Sequence, residues 1–256
     1  MSKRRLDVLL VDRGLAESRE KAQALVMAGQ VTVDERPAPK PGTLVAEDAD
    51  LAVARGPRFV SRGGEKLDHA LDAFGLDVTG LVAADIGAST GGFTDCLLQR
   101  GASRVYAIDV GRGQLDHRLR SNPRVVSMEG VNAREMDALP EAVDFAVIDV
   151  SFISLRLVLP TARRVLRPAL RGAASSAPTV AGSIIVLFKP QFEAAKAEVP
   201  RGGVIRDPLL HSRLIGRFAV WCATNEFRIR DMVSSPILGD AGNREFLFWL
   251  RPEARA

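Results

Sequence analysis

Four ionisable residues, far apart in a chain of 256, stand where an α/β sheet would bring them to one edge: Lys66, Asp149, Lys189 and Glu245. Asp149 closes the apolar run Phe145-Ala146-Val147-Ile148, and Lys189 closes Ile184-Ile185-Val186-Leu187-Phe188. Each is a charge at the carboxyl end of a buried strand, the edge outside which open α/β sheets hold their ligands. Lys66 opens a helix expected over residues 65–74, which must run down so that the next strand can run up. Glu245 follows Gly242-Asn243-Arg244 at the start of a last strand that runs backward. Two amines beside two carboxylates can steer a proton and steady negative charge that develops on an oxygen. Taken singly, plainer readings stand. A lysine at a helix start or a glutamate near a hairpin is commonly solvated surface, and Asp149 and Lys189 can satisfy one another beneath a crevice.

The segment Asp85-Ile86-Gly87-Ala88-Ser89-Thr90-Gly91-Gly92-Phe93 ends an apolar strand and opens a helix, putting small residues where backbone must approach a ligand closely. It is not G-x-G-x-x-G, because Ser89 holds the third position, and no Gly-Lys-Ser/Thr follows to make a P-loop. Hydride and phosphoryl transfer therefore lose support. Asp109 ends the next strand 24 positions after Asp85, about where such folds offer a carboxylate to ribose hydroxyls. Val110, beside it, and Asn132 complete the expected cofactor set. An adenosine half and a cationic amino-acid tail suit Asp85, Asp109 and bare backbone, and S-adenosylmethionine has both. A glycine-rich turn can also be a tight connection and Asp109 a solvated carboxylate; it is their joint spacing that points to a cofactor.

The elements that must position these residues follow from apolar patterning. Strands are expected at 81–86, 104–109, 124–128, 144–150, 183–189, 228–233 and 244–250, alternating with helices, the signature of a mostly parallel, doubly wound sheet. Residues 234–243 hold no helix, so the last strand must return antiparallel. The Ala/Ser/Pro stretch 171–182 is expected to be a mobile, non-catalytic connection. Residues 1–54 read as a small α+β domain: Leu6, Leu9, Leu10 and Leu15 at helical spacing, then Ala22, Leu25 and Val26 behind Ser18 as N-cap, then a ribbon through Val31-Thr32-Val33 and Leu51-Ala52-Val53. Residues 55–60 are the expected linker and 61–256 the second domain.

Composition sets the bounds. With 35 Lys+Arg against 31 Asp+Glu, 46% hydrophobic and 26% charged residues, disorder, collagen and disulfide scaffolds are excluded. The net charge of +4 permits a nucleic-acid partner without demanding one. Cys96, Cys222, His69, His117 and His211 form no metal-binding spacing, so neither zinc nor another metal is expected. No signal peptide or membrane span can be read from the sequence, which suggests a cytoplasmic protein.

Five segments together carry a resemblance: Ser61-Arg62-Gly63-Gly64-Glu65-Lys66-Leu67, Gly87 to Thr94, Asp149-Val150-Ser151-Phe152-Ile153-Ser154, Lys189-Pro190-Gln191-Phe192-Glu193 and Gly242-Asn243-Arg244-Glu245-Phe246. Over almost the whole chain the sequence resembles the TlyA (haemolysin A) family of ribosomal RNA methyltransferases. That family is similar to the FtsJ-type RNA ribose methyltransferases, whose Lys-Asp-Lys-Glu tetrad would here be Lys66, Asp149, Lys189 and Glu245. The resemblance implies a Rossmann-like methyltransferase sheet, S-adenosylmethionine as cofactor, and methylation of a cytidine ribose 2'-OH in small-subunit rRNA, with large-subunit rRNA as a second substrate in some members. The N-terminal unit resembles an S4 RNA-binding domain through Arg5-Leu6-Asp7, Ser18 to Ala22 and Ala28 to Val33. Its ten basic and nine acidic residues through Arg58 nearly balance, so RNA contact must rest on clustering. Lys3, Arg4, Arg5, Arg19 and Lys21 at two helix starts, Lys40 in the ribbon connection and Arg62 are the expected RNA ligands, with a solvated charged face as the alternative.

For ribose methylation, Lys189 would accept or steer the hydroxyl proton, Lys66 would stabilise charge on the oxygen, and Asp149 and Glu245 would orient the two amines. Carbon methylation commonly needs a nucleophilic cysteine, whereas Cys96 and Cys222 fall within helical patterns as core thiols. The absence of an Asn-Pro-Pro-aromatic tetrapeptide counts against adenine N6 chemistry. Three competing readings remain: a non-catalytic RNA-binding or ribosome-assembly factor, a membrane-lytic haemolysin, and an S4-bearing pseudouridine synthase.

Overall fold

The computed structural model describes residues 2–54, 56–167 and 180–253, so most of the Ala/Ser/Pro stretch, from 171 to 179, lies outside the described residues. The chain divides into two compact units, Met1–Arg58 and Phe59–Ala256. Phe59 is buried and belongs to the core of the second unit.

In the first unit, helices α1 (Leu6–Asp12) and α2 (Arg19–Met27) pack their apolar faces, Leu6, Leu9, Leu10, Ala22 and Val26, into one small core with Val31, Val45 and Leu51. Ser18 caps α2 as its type and position require, its hydroxyl accepting from the Lys21 amide at 3.2 Å. Strand β2 (Val31–Val33) pairs antiparallel with both β3 (Arg36–Pro37) and β5 (Leu51–Val53), the expected ribbon. Lys3, Arg4 and Arg5 do not open a helix. They form β1 (Lys3–Arg5), antiparallel to β4 (Leu44–Ala46), and the chain turns into α1 only after Arg5. Charged residues on a three-residue strand gave no apolar alternation to betray it.

Asp7 gathers this unit's cations. Its carboxylate has no exposed surface and accepts from Arg5 Nε at 3.0 Å, Arg5 Nη2 at 2.9 Å, Arg19 Nη2 at 3.2 Å and Gln23 Nε2 at 2.9 Å. The Arg5 fork is the largest of several influences that hold the carboxyl well below the usual range. Two of the expected RNA ligands, Arg5 and Arg19, are therefore tied side by side and half-exposed, and Arg4 pairs with Asp12 at 3.0 Å, while Lys3, Lys21 and Lys40 are exposed.

The second unit is built on a seven-stranded sheet, β6 (Val82–Ile86), β7 (Arg104–Asp109), β8 (Val125–Glu129), β9 (Phe145–Ile148), β10 (Ser183–Phe188), β11 (Phe227–Ser234) and β12 (Phe246–Pro252). Its order is β8-β7-β6-β9-β10-β12-β11, all parallel except β12, which runs antiparallel between β10 and β11. Along β10 alternate residues serve opposite cores: Ile184, Val186 and Phe188 join one, Ile185 and Leu187 the other. Burial on both faces explains why β9 and β10 read as unbroken apolar runs. Helices α3 (Gly63–Phe74), α4 (Gly92–Gln99) and α5 (His117–Arg120) put apolar residues into the second of these cores, and α6 (Leu159–Val165) and α8 (Pro208–Thr224) into the first, with short α7 (Pro190–Glu193) following β10. The chain leaves β6 toward β7 and β8 on one side, and continues from β9 toward β10 on the other. Between β6 and β9 the winding therefore reverses, and there the strand ends part to leave a crevice.

Because folding lowers the Asp7 pKa from 3.8, its contribution is present at neutral pH and is lost as the pH falls from about 5 through the folded value. Asp7→Asn should cost the first unit about 2 kcal/mol at pH 7 in urea unfolding of the whole chain. The loss should shrink toward pH 3, and an equal loss at both pH values would contradict the pairing.

Candidate active site

At the winding reversal the turn from Gly87 to Phe93 faces the loop that follows β9. Its glycines answer first to the protein itself. A Cβ on Gly87 (φ +88°) would lie 2.3 Å from the Asp149 carbonyl oxygen, one on Gly91 (φ +97°) 2.2 Å from Leu119, and one on Gly92 2.2 Å from the Ser61 hydroxyl. These contacts press the turn against the Asp149 loop, α5 and the start of α3. The remaining faces of Gly87, Ala88, Ser89 and Thr90 line a cavity of about 650 Å³. Gly92 and Phe93 line it too; Gly91 does not.

Lys66, Asp149, Lys189 and Glu245 all border this cavity. Lys66 Nζ donates to Glu245 Oε2 at 2.6 Å, with both side chains buried. Lys189 Nζ pairs with Asp149 Oδ1 at 2.6 Å and donates to Ser151 Oγ at 2.8 Å. Asn243 secures the Glu245 end. Only 1% exposed, it accepts from the Ile205 amide at 2.9 Å and donates to the Gly203 carbonyl at 2.9 Å. Arg62 pairs with Asp240 at the cavity wall.

Beneath the glycine turn lies an excess of acid. Asp85 is fully buried; it accepts from Thr94 Oγ1 at 2.6 Å, and its Oδ1 has no hydrogen-bond partner among the described residues. Burial, with the charges of Asp149 and Asp109 adding to it, pushes its pKa up to about 7 against the pull of Thr94. Asp109 accepts from the Ser89 amide at 2.7 Å through one oxygen and from the Gly111 amide at 2.7 Å through the other. It thus holds the tip of the turn from outside the cavity wall. Val110 is 74% exposed, and Asn132 caps a short 3-10 turn, accepting from the Arg134 amide at 3.1 Å. Asp85, Asp109, Val110 and Asn132 are not among the lining residues.

Several site residues escaped the sequence reading. Ser151 hydrogen-bonds Lys189, Gln191 Oε1 is a buried acceptor without a partner among the described residues, and Phe152 stands 90% exposed at the cavity. Phe152 has φ +63°, a left-handed backbone rare for a bulky residue, and its ring lies 5.0 Å from that of Phe192. Position alone held a clue: both phenylalanines sit three residues past a charged strand end.

Two family models match the chain: an FtsJ-like methyltransferase over residues 59–252 and an S4 domain over residues 4–51. The chain is 46% identical to YqxC of Bacillus subtilis, across 97% of this chain and 85% of that protein. It is 44% identical to the Mycobacterium tuberculosis 16S/23S rRNA (cytidine-2'-O)-methyltransferase TlyA, across 97% of this chain and 90% of that one. The chain belongs to the TlyA family of FtsJ-like methyltransferases. A solved structure from Streptococcus thermophilus with a hemolysin name is 40% identical, covers 98% of this chain and 89% of its own, and superposes with a TM-score of 0.70. In this TlyA-family enzyme, among the described residues, no helix is long and apolar enough to cross a membrane.

Two consequences can be measured. Gly87→Ala should cost about 2–4 kcal/mol, from the left-handed backbone and the collision with Asp149, and unfolding in denaturant would detect it. Because folding raises the Asp85 pKa from 3.8 to about 7, stability should fall as the pH rises between those values and level off above them. Asp85→Asn should flatten that slope, and an unchanged slope would show that Asp85 is not its source.

Proposed function

We propose that this methyltransferase uses S-adenosylmethionine to methylate the 2'-OH of a cytidine ribose in ribosomal RNA of the small subunit, with the large subunit as a second substrate. The observation that carries the reading is the pairing of Lys66 with Glu245 and of Lys189 with Asp149 around one cavity beside a glycine-rich turn. The substrate follows the function printed in the name of the M. tuberculosis relative. Work on ribosomes would place the protein in the cytoplasm.

The residues present fit the cofactor. Asp85, Asp109 and Asp149 crowd negative charge beneath the turn, and a cationic ligand relieves that crowding. Gln191 Oε1, an acceptor of the cavity lining without a partner among the described residues, suits an ammonium or a hydroxyl. The turn from Gly87 to Phe93 would hold the adenosyl moiety, and Asp109, with lone pairs left after its two amide bonds, the ribose edge. When bound, S-adenosylmethionine supplies a methyl group on a sulfonium.

The acceptor side belongs to the tetrad. Asp149 and Ser151 fix the Lys189 amine where, once it has given up its own proton to solvent, it can take or steer the ribose proton, and Glu245 fixes Lys66 to steady negative charge on the oxygen. The oxygen loses its proton as it gains the carbon, so positioning accounts for much of the catalysis. Phe152 offers an exposed ring for the base that accompanies the reacting sugar. In the first unit, the Arg5 and Arg19 guanidiniums with Lys3, Arg4, Lys21 and Lys40 would meet RNA phosphates, and Arg62 would do so at the cavity. The paired tetrad favours an enzyme over a non-catalytic assembly factor.

Lys189→Ala should abolish ribose methylation, scored by mapping 2'-O-methylated cytidines in rRNA, while cofactor affinity stays within about threefold by calorimetry; retained turnover would refute the assignment. Phe152→Ala should raise KM for RNA about tenfold or more, as loss of one stacked base requires, without weakening the cofactor.

A further inference from the structure

Glu193 takes no part in the chemistry above and does not line the cavity, yet it is among the most deeply placed charges of the methyltransferase unit. Its side chain is 2% exposed. Oε2 accepts from the Ser154 hydroxyl at 2.7 Å, Oε1 accepts from the Leu155 amide at 2.7 Å, and Arg156 Nε lies 3.8 Å away. Burial pushes its carboxyl pKa up against these partners. Arg156 supplies the nearby positive charge, and the Cys222 thiol, pushed up to about 12 by burial, stays neutral beside them. A buried carboxylate costs desolvation that an apolar side chain of the same size would avoid. Its hydrogen bonds must therefore do something that packing alone would not.

Those bonds join two chain segments, the loop that follows β9 and the short helix that follows β10. Ser154 and Leu155 end the irregular loop that leaves β9 with Asp149, Ser151 and Phe152. Glu193 ends α7, which leaves β10 directly after Lys189 and carries Gln191 and Phe192. The segments are cross-linked at the front by Lys189, through Asp149 and Ser151, and stacked at the middle by Phe152 on Phe192. At the back the link is Glu193. Between front and back the loop carries Phe152 in a left-handed backbone, which persists only where its surroundings impose it.

We propose that Glu193 is a positioning residue that latches the β9 loop to α7, so that the Asp149–Lys189 pair and the Phe152–Phe192 wall act as one rigid body facing the target nucleotide. The proposal rests on the RNA-methylation reading for its kinetic consequence but not for its structural one. Without the latch, Phe152 is released to relax toward ordinary backbone angles and leave Phe192. The glycine turn abuts the β9 loop where Gly87 meets Asp149, but it keeps further supports in Asp109, Leu119 and Ser61.

The test compares Glu193→Ala, Glu193→Leu and Glu193→Gln in the full-length protein. Leucine keeps the buried volume without the bonds. Glutamine keeps both bonds, its oxygen accepting from the Leu155 amide and its nitrogen donating to the Ser154 hydroxyl. Hydrogen exchange across residues 150–156 should quicken about tenfold or more in the Ala and Leu variants and stay near wild type in Gln. The kcat/KM for RNA should follow the same order, falling about ten- to a hundredfold in Ala and Leu, with S-adenosylmethionine affinity within about threefold throughout. Unchanged exchange in Leu would overturn the latch. So would cofactor affinity falling in step with RNA turnover, since that marks a general loss of structure. If the wild type itself methylates no RNA, the functional reading fails, and the exchange rates still decide the latch.

Discussion

The Lys66–Glu245 pair joins residues 179 positions apart, and the topology of the sheet exists in the form that lets them meet. Glu245 precedes β12. Were β12 parallel to its neighbours, its beginning would lie at the opposite edge, away from the crevice. Running antiparallel between β10 and β11, it brings its amino end to the edge where β6, β9 and β10 bring their carboxyl ends. The pair is buried, and a buried ion pair offers little net stability once its desolvation is counted. Its value lies in holding an amine at a fixed point of the cavity wall, with Asn243 bonded to the neighbouring loop to keep the glutamate there.

Charge then divides the site into two halves. On the side of β6 and β7, Asp85 and Asp109 gather acid beneath the turn, and burial above all, with the charges of Asp149 and Asp109 adding to it, pushes the Asp85 pKa up to about 7. On the side of β9, β10 and β12, every carboxylate of the tetrad has an amine within 2.6 Å. A cation fits the first half, and an oxygen that must lose a proton fits the second. Methyl transfer from a sulfonium to an alcohol asks for that arrangement, with Asp149 at the seam because the β9 loop abuts the Gly87 turn.

Legibility in the sequence followed the range of the interactions involved. Apolar runs ending in charge marked β9 and β10 and their terminal residues, because burial on both faces leaves no ambiguity of period. The helix-free segment before β12 exposed its reversal, and with it Glu245. What depends on partners distant in sequence was hidden. Gly91 answers to Leu119, and Glu193 to Ser154, neither of which local pattern can name. Asp109 was visible by spacing, but its engagement with two backbone amides was not. Val110 and Asn132 were expected in the cofactor set with Asp85 and Asp109, and none of the four is among the residues that line the cavity. In the small unit, Asp7 collecting Arg5, Arg19 and Gln23 was invisible, since nothing local distinguishes a buried aspartate from a solvated one.

Asp7 and Glu193 pose the same physical question in two separate units. Each is a carboxylate without solvent around it, and each bonds side chains or backbone from a second segment. Their energetics differ in sign. The fork of Arg5 draws the Asp7 carboxyl down, so folding favours its ionised form, whereas burial draws Glu193 up, so folding opposes it. A group that folding favours adds to stability at neutral pH. A group that folding opposes subtracts from it, and its presence asks for another explanation. In the second unit that explanation lies beside the cavity, where an irregular loop with a left-handed phenylalanine must hold its shape between the strand ends that present Asp149 and Lys189.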